Sequence, residues 1–281
     1  MEFSLSGFDL DRFVAATLAE DLGEGGDITS AAVVPAEARF AGIMDSRDAI
    51  VVAGLPLAEA FFRVLDAEVH IERLVEDGDA VPAGADLLRV RGAARALLTA
   101  ERSALNTVQH LSGIATLTRR YVDAIAGTGA ILLDTRKTIP GLRVLEKYAT
   151  RMGGAQNHRM RLDDAAMIKD NHVAVAGSVD EAVRRAAAAG IERIIVEVYR
   201  LDQIEAALAA GASHLLLDNM DAATLREAVR IVQSRVPTEA SGGVTLETIR
   251  EKAETGVTFI SVGRITQSAP AADIGLDFAS V

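Results

Sequence analysis

The chain has 281 residues, 49% of them hydrophobic, and a formal net charge of −11. This acidic balance argues against general affinity for nucleic acid or an anionic membrane, because both bind through a positive surface. The absence of cysteine excludes disulfides, thiolate nucleophiles and cysteine-ligated metal centres. We therefore expect small-molecule partners, and the acidic N-terminus, which lacks the pattern of an export signal, predicts a cytoplasmic location.

The first hundred residues predict a small α+β domain. Short strand-like runs are separated by turns such as EDGDAVPAGA, which favours an antiparallel sheet. The runs lie at residues 38–46, 49–54, 68–75 and 86–92. The turn-rich hairpin resembles those of lipoyl carrier domains, but no lysine precedes Lys137, so a carrier function is excluded. A helical pattern from Ala93 to Ile125 is expected to join this domain to the next.

The chain from about residue 130 alternates between strand and helix patterns. The apolar runs that predict buried strands, of which the fifth is the weakest, are 130–134, 165–169, 193–198, 214–218, 237–241 and 259–263. The helical patterns are 141–152, 179–189, 201–210, 222–233 and 246–254. This alternation predicts a parallel sheet of the α/β barrel type, although six strands are fewer than the usual eight.

Several of these helices have predictable ends. Asp221 and Thr245 are expected to be N-caps, because their side-chain oxygens can accept hydrogen bonds from the first turn. Gly190, Gly211 and Gly256 are expected to be left-handed C-terminal caps. These signals favour short loops between the elements, as a barrel requires.

The segment 134–161 is basic within an acidic chain, with seven Lys and Arg residues against two acidic ones. We interpret Arg143, Lys147 and Arg151, spaced four apart, as a solvated stripe on one helix. The remaining groups fall in predicted loops, where ligands are commonly bound. These groups are Arg136, Lys137, His158 and Arg159.

Polar or small residues lie at the ends of all six predicted strands. In chain order they are Asp134, Arg136 and Lys137, then Lys169, Glu197, Asp218, Ser241 and Gly263. The C-terminal ends of barrel strands form the rim on which active sites are built. An acid at a strand end often only caps the next helix, and that interpretation stays open for Asp134 and Asp170. Useful groups at six consecutive strand ends nevertheless favour a site.

Two glycine-containing turns, SGGV at 241–244 and SVGR at 261–264, predict a phosphate site. Backbone N–H groups and a helix N-terminus can cradle phosphate oxygens, and glycine lets those oxygens approach. In barrels the loops after the last two strands are a frequent phosphate site. Either turn alone is more typical of an ordinary loop.

The cations exceed what one phosphate requires, so the ligand is expected to carry further anionic groups, such as diphosphate or carboxylates. Glu197 and Asp218 could hold sugar hydroxyls or a divalent cation, or stabilise a developing positive carbon. His158 is interpreted as a loop ligand. His172 and His214 are interpreted as structural, because the histidines lack the spacing of a metal cage.

The sequence resembles the quinolinate phosphoribosyltransferase family, also called carboxylating nicotinate-nucleotide diphosphorylases. The motifs that carry the resemblance occur in order over nearly the whole chain. They are EDLGEGGDITS (20–30), ERSALNTVQHLSGIATLT (101–118), DTRKTIPGLRVLEKYA (134–149), NHRMRLDDAAMIKDNH (157–172), LLLDN (215–219), SGGV and ISVG.

The resemblance implies an N-terminal α/β sandwich domain at 1–110 and an incomplete, six- to seven-stranded parallel α/β barrel at 111–267. The tail at 268–281 is expected to pack back onto the first domain. The family forms homodimers in which one subunit completes the other's site, and assembly into hexamers stays open. The implied reaction, in de novo NAD biosynthesis, converts quinolinate and phosphoribosyl diphosphate into nicotinate mononucleotide, diphosphate and carbon dioxide. It uses Mg²⁺ and no organic cofactor.

The resemblance also implies roles for individual residues. The two carboxylates of quinolinate would be bound by Arg136, His158 and Arg159, together with Arg102 from the neighbouring subunit. The 5′-phosphate would be bound by Ser241, Gly242, Gly243 and Gly263. Four residues are implied to be catalytic. Lys137 and Lys169 would bind quinolinate and diphosphate. Glu197 and Asp218 would face the ribose and would bind the metal, either directly or through the ribose or water.

Two departures from the family pattern are visible. Where the family usually reads EVE, this chain has Glu197, Val198 and Tyr199, and where it often reads THS, this chain has Gln267 in the middle position. Glu197 keeps the usual spacing to Asp218, so its implied role survives.

Two rival functions remain at this stage. A related phosphoribosyltransferase, such as the homologues found with molybdate transporters, would act on another base, but a mono-acid substrate would not require so many cations. A non-catalytic sensor of phosphorylated metabolites is the second rival. Retention of Lys169, Glu197 and Asp218 argues against it, because binding alone does not require acids on the ribose side.

Overall fold

The computed structural model describes residues 3–278. They form two compact units. The first contains residues 3–117, 144–154 and 268–278, and the second contains residues 118–143 and 155–267. The segment 144–154, which the sequence assigned to the barrel domain, therefore belongs to the first unit. Residues 1, 2 and 279–281 of the predicted domains lie outside the described residues.

The elements follow the predicted order closely. The N-terminal part contains α1 (Leu10–Leu22), α2 (Ile28–Val33), β1 (Arg39–Ser46), β2 (Ile50–Val51), α3 (Leu55–Leu65), β3 (His70–Arg73), β4 (Ala80–Val81), β5 (Asp86–Ala93) and α4 (Ala94–Ala124). Then come β6 (Ile131–Leu133), α5 (Arg143–Met152), β7 (Ala166–Ile168), α6 (Asp170–Ala176), α7 (Val179–Ala188), β8 (Ile194–Val198) and α8 (Asp202–Ala209). The last elements are β9 (His214–Asp218), α9 (Ala222–Val232), β10 (Thr238–Ser241), α10 (Ile249–Ala253), β11 (Phe259–Ser261), α11 (Arg264–Gln267) and β12 (Ile274–Phe278).

The first unit is built on an antiparallel sheet of strand order β12-β1-β5-β3, as predicted for this part of the chain. Helices α1 and α3 and the start of α4 contribute to one hydrophobic core with this sheet. Phe61 and Phe62 of α3 are fully buried in it, and burial of each such side chain stabilises the fold by roughly 1.5–3 kcal/mol. Strand β12 brings the C-terminal segment onto this sheet.

The second unit contains the predicted parallel sheet. Its six strands have the order β6-β11-β10-β9-β8-β7, and every neighbouring pair is parallel. Within residues 3–278, β6 and β7 do not pair with each other, so the sheet is an incomplete α/β barrel. A parallel bridge between Leu133 and Gln156 extends the sheet beyond β6. The predicted fold class is confirmed.

Local sequence explains most of the boundaries in this unit. All five residues of β8 are buried, which is why the strand is almost uniformly apolar. Asp221 caps α9 by accepting a hydrogen bond from the Thr224 N–H at 2.8 Å. Gly190 and Gly211 follow their helices with φ of 78° and 106°, a region that L side chains rarely adopt. These predicted helix ends are confirmed.

Three local expectations were wrong. The helix expected from residue 246 begins at Ile249, because Thr245 forms a turn with Thr248, which precedes the helix, instead of acting as the N-cap. The seven-residue helix α6 was not predicted. Lys147 is 1% exposed and not part of a solvated stripe, because α5 buries six successive residues, 145–150.

No helix within residues 3–278 combines the length and the apolar composition needed to cross a membrane.

Candidate active site

A cavity of about 730 Å³ lies at the C-terminal ends of the parallel strands. All of the predicted site residues but one line it. They are Arg136, Lys137, His158, Arg159, Lys169, Glu197, Asp218, Ser241, Gly242, Gly243 and Gly263. The exception is Arg102, an exposed residue of α4 that is not among the described residues lining the cavity. The sequence predicted that the strand ends share one cavity, and all the described residues that line this cavity belong to the second unit.

Five Lys and Arg residues among residues 3–278 line the cavity, and four of them form what we call the cationic arc: Arg136, Lys137, Arg159 and Lys169. The Arg159 guanidinium donates to the Ala165 carbonyl at 2.8 Å. Burial, and then the positive charge of Arg136, lower the pKa of Arg159. The Arg136 Nε is buried and has no hydrogen-bond partner among the described residues. Two guanidinium groups that repel each other in one cavity are suited to an anion that neutralises both.

Asp134, at the end of β6, anchors the loop that carries part of this arc. It is fully buried. Its Oδ1 accepts from the His158 N–H at 2.8 Å, and its Oδ2 accepts from the Asn157 side-chain amide at 2.5 Å. It therefore holds a loop and does not cap a helix, which settles one alternative that the sequence left open.

A second buried carboxylate, Glu239 in β10, also lines the cavity. Its Oε2 lies 3.3 Å from His158 Nε2 and 3.0 Å from His214 Nε2. Burial alone would raise the pKa of Glu239, but the two imidazoles outweigh that effect and lower the pKa to about 2. His158 Nδ1 accepts the Arg159 N–H at 2.7 Å. Both ring nitrogens of His158 therefore face protein groups, and its direct contact with a ligand carboxylate stays a prediction.

The two acids predicted for the ribose side have different surroundings. Glu197 is 6% exposed; Lys169 forms an ion pair with its Oε2, and the Tyr199 hydroxyl donates to its Oε1. Asp218 is less buried, and burial followed by the negative charge of Glu197 raises its pKa, against the opposing charge of Lys169. Both carboxylate oxygens of Glu197 therefore have a protein partner, whereas Asp218 is the acid more accessible to a ligand.

What we call the glycine arc consists of four residues at or just after the ends of β10 and β11: Ser241, Gly242, Gly243 and Gly263. Gly242 and Gly243 have φ of 86° and 61°, so this turn requires residues without a Cβ. A Cβ on Gly263 would lie 2.8 Å from Lys137 Cδ. The sequence had suggested that the SGGV turn runs directly into a helix, but α10 begins only at Ile249.

The sequence missed three groups that the structure brings to the site. Glu239 lines the cavity from the weakest predicted strand, where its charge between Thr238 and Ala240 was the only signal. Asn219 also lines the cavity, and the Tyr199 hydroxyl reaches Glu197. Neither contact follows from spacing along the chain.

Comparison with known proteins gives a consistent result. Residues 27–112 match the family described as Quinolinate phosphoribosyl transferase, N-terminal domain, and residues 114–277 match its C-terminal domain. The chain is 47% identical over 280 residues to a nicotinate-nucleotide pyrophosphorylase (carboxylating) of Mycobacterium leprae, covering 96% of this chain and 98% of that protein. It is 38% identical to quinolinate phosphoribosyltransferase (decarboxylating) 1b of Nicotiana tabacum, covering 96% of this chain and 82% of the relative.

Solved structures agree with these relatives. The nicotinate-nucleotide pyrophosphorylase of Ehrlichia chaffeensis superposes with a TM-score of 0.93 at 37% identity, over 97% of this chain and 100% of that chain. The enzyme of the same name from Francisella tularensis gives a TM-score of 0.92 at 38% identity, over 99% of both chains.

Proposed function

Because the chain belongs to the quinolinate phosphoribosyltransferase family, we propose that it converts quinolinate and phosphoribosyl diphosphate into nicotinate mononucleotide, diphosphate and carbon dioxide. This reaction feeds de novo NAD biosynthesis. The proposal extends to this chain the activity for which its relatives are named.

The observation that carries the proposal is the pair of guanidinium groups in one cavity. The charge of Arg136 acts on Arg159 strongly enough to lower its pKa, after burial. Quinolinate has two carboxylates on adjacent ring carbons, so one ligand could neutralise both arginines at once. A mono-acid such as nicotinate would supply a carboxylate to only one of the two guanidinium groups, so it would neutralise less of their combined positive charge. The geometry therefore favours quinolinate over the related bases considered above.

The other substrate fits the opposite side of the cavity. The 5′-phosphate of phosphoribosyl diphosphate would bind the backbone N–H groups of the glycine arc, where the turns admit close approach. Asp218 and Glu197 would face the ribose, and Lys137 and Lys169 would bind the diphosphate. In this arrangement the ring nitrogen of quinolinate and the C1 carbon of the ribose meet between the two arcs.

The proposed chemistry follows from these charges. The bond between ribose C1 and diphosphate breaks, and the quinolinate nitrogen forms a bond to C1. Lys137 and Lys169 would stabilise the departing diphosphate, while Glu197 and Asp218 would stabilise the positive charge on the sugar. The nitrogen is then a pyridinium. The adjacent carboxylate leaves as carbon dioxide, its electron pair stays on the ring carbon beside the positive nitrogen, and a proton takes its place.

We expect Mg²⁺ to be bound by the protein and the substrate phosphates together. Residues 3–278 contain no group of three or more His, Asp or Glu side chains that could hold a metal. Lys169 and Tyr199 engage both oxygens of Glu197. Mg²⁺ is commonly bound by one or two carboxylates together with substrate phosphates. Asp218 would hold it, directly or through water, and the ion would supply charge neutralisation at the diphosphate.

We propose that the functional unit is a homodimer in which Arg102 of one copy reaches quinolinate in the other. Support comes from the absence of Arg102 among the described residues that line the cavity and from its exposure on α4. Mixing Arg102→Ala with Lys169→Ala protein tests this arrangement. Partial recovery of activity is expected, whereas no recovery after confirmed subunit exchange would contradict a shared site.

The proposed activity is tested with quinolinate labelled at the carboxylate beside the ring nitrogen. With Mg²⁺, the purified protein should release labelled carbon dioxide and form nicotinate mononucleotide in equal amounts, and only when phosphoribosyl diphosphate is present. Binding of both substrates with no product would instead support the non-catalytic sensor and overturn the proposal.

A further inference from the structure

Asn219, the residue that follows β9, has an unusual backbone conformation at the rim of the cavity. Its φ is 55°, and only two other non-glycine residues among 3–278, Gln233 and Ser234, have positive φ. L residues rarely adopt such a conformation, and it persists only where the surroundings enforce it. Asparagine tolerates it better than most residues, because its short side chain can form local hydrogen bonds.

Three contacts enforce this conformation. The Asn219 N–H donates to the Ser241 carbonyl at 2.9 Å, which joins the end of β9 to the end of β10. The Asn219 side-chain NH₂ donates to Asp218 Oδ2 at 2.5 Å. On its other side, the amide oxygen lies against Gly242, where an added Cβ would overlap it. The amide therefore lies between a carboxylate of the ribose side and the first glycine of the phosphate turn.

We propose that Asn219 is a positioning residue that fixes the Asp218 carboxylate relative to the glycine arc, and so sets the spacing between the ribose and phosphate subsites. The inference rests on the proposed function. It also gives Gly242 a second role, since this residue must lack a Cβ to admit the Asn219 amide as well as to expose its backbone.

This role predicts a selective defect. Without the amide, Asp218 can change rotamer and the turn loses its support, so binding of phosphoribosyl diphosphate should weaken. Quinolinate is expected to contact the cationic arc, which Asn219 does not touch in any described contact. A residue needed only for folding would lower the amount of active protein and would leave both KM values unchanged.

The test uses two substitutions that tolerate a left-handed backbone. Asn219→Gly removes the side chain, and Asn219→Asp keeps its shape but replaces the donor with a second acceptor facing Asp218. Gln233→Gly is the matched control, because Gln233 has a φ of 52°, ends α9 and does not line the cavity. Affinity for phosphoribosyl diphosphate is measured by titration calorimetry with Mg²⁺, and both KM values by steady-state kinetics.

We expect both Asn219 variants to bind phosphoribosyl diphosphate about tenfold or more weakly, with the KM for quinolinate changed less than about threefold. The control should match the wild type. A crystal structure of ligand-free Asn219→Gly should show Asp218 in a different rotamer.

Three results would overturn the inference: unchanged affinity in both variants, wild-type behaviour of Asn219→Asp, or an unmoved Asp218 despite weaker binding, which would indicate direct contact between Asn219 and the ligand. If either variant fails to fold, the other carries the test. A wild-type protein that forms no product contradicts the proposed function instead, so the two failures are distinguishable.

Discussion

The cationic arc and the glycine arc line the same cavity but are constructed differently. In the cationic arc, long side chains line the cavity, and buried polar groups hold the loop that carries Arg159. Asp134 accepts from the His158 N–H, and His158 in turn accepts from the Arg159 N–H. The position of the Arg159 backbone therefore depends on Asp134 and His158.

The glycine arc depends on the absence of side chains. Gly242 leaves room for the Asn219 amide, and Gly263 leaves room for the Lys137 side chain. The groups that we propose to bind phosphate there are backbone N–H groups, so the arc has no side-chain charge to remove. Different substitutions should therefore impair the two arcs. Removal of a charge or of a buried support should impair the cationic arc, and added side-chain volume should impair the glycine arc.

The largest effect is expected in the cationic arc itself. Arg136→Met and Arg159→Met should each lower kcat/KM for quinolinate by about thirtyfold to several thousandfold, because removing one partner of a buried charge pair costs roughly 2–5 kcal/mol. Steady-state kinetics measure this effect. Arg161→Met is the control, since Arg161 is exposed and pairs with Asp163. Equal effects in all three variants would show that the arc has no special role.

The next largest effect is expected at Glu239, whose contribution to the free energy of unfolding should depend on pH. The pKa of Glu239 in the folded protein, about 2, lies below its ordinary value of 4.5. The ionised carboxylate therefore contributes stability above pH 4.5, and this contribution is lost as the pH falls through about 2. By linkage it is worth roughly 3 kcal/mol.

Glu239→Gln should consequently be less stable than the wild type at pH 6, and the gap in free energy of unfolding should narrow between pH 4.5 and pH 3. Urea denaturation at several pH values measures the gap. Glu72→Gln, at an exposed position, should show no such narrowing. A gap that stays constant or widens on acidification would contradict the assignment of Glu239 as ionised.

A smaller, more selective effect is expected in the glycine arc. Gly242→Ala should raise the KM for phosphoribosyl diphosphate about tenfold, because the new Cβ meets the Asn219 amide and φ is 86°. Gly190→Ala is the matched control: its φ is 78°, but nothing lies within 4 Å of the added Cβ. It should lose stability without any change in KM. Similar KM values for both variants would remove the steric argument.

The smallest effect is expected at the departure from the family pattern. Tyr199→Phe removes only the hydroxyl that donates to Glu197. Because Lys169 still pairs with Glu197, loss of this one hydrogen bond should lower kcat only about fivefold. Stopped-flow measurement of diphosphate release checks this. An unchanged or higher kcat would mean that Lys169 alone holds Glu197 in place.

The sequence predicted the strands of the barrel well, because parallel strands buried on both faces must be apolar in consecutive positions. It also predicted which strand ends meet, since topology alone brings them to one rim. It failed at Thr245 and Lys147, where neighbouring contacts override the local signals for a helix start and for a solvated face. A cap depends on which oxygen reaches the first turn, and burial depends on tertiary packing.

The same limit applied to the supports of the site. Asp134 was open to interpretation as a helix cap, and the pairing of Glu239 with two histidines joins three separate parts of the chain. Charge and strand position therefore identified the groups that line the cavity. They could not identify the hydrogen bonds that orient those groups, because such bonds depend on distances of a few tenths of an ångström.

We propose that the cationic arc recognises two carboxylates on one ring. The most direct measurement compares kcat/KM for quinolinate with that for nicotinate, at saturating phosphoribosyl diphosphate and Mg²⁺. We predict a preference for quinolinate of about a hundredfold or more, since nicotinate lacks the second carboxylate that would neutralise the other guanidinium. Equal kcat/KM values for the two acids would contradict the account.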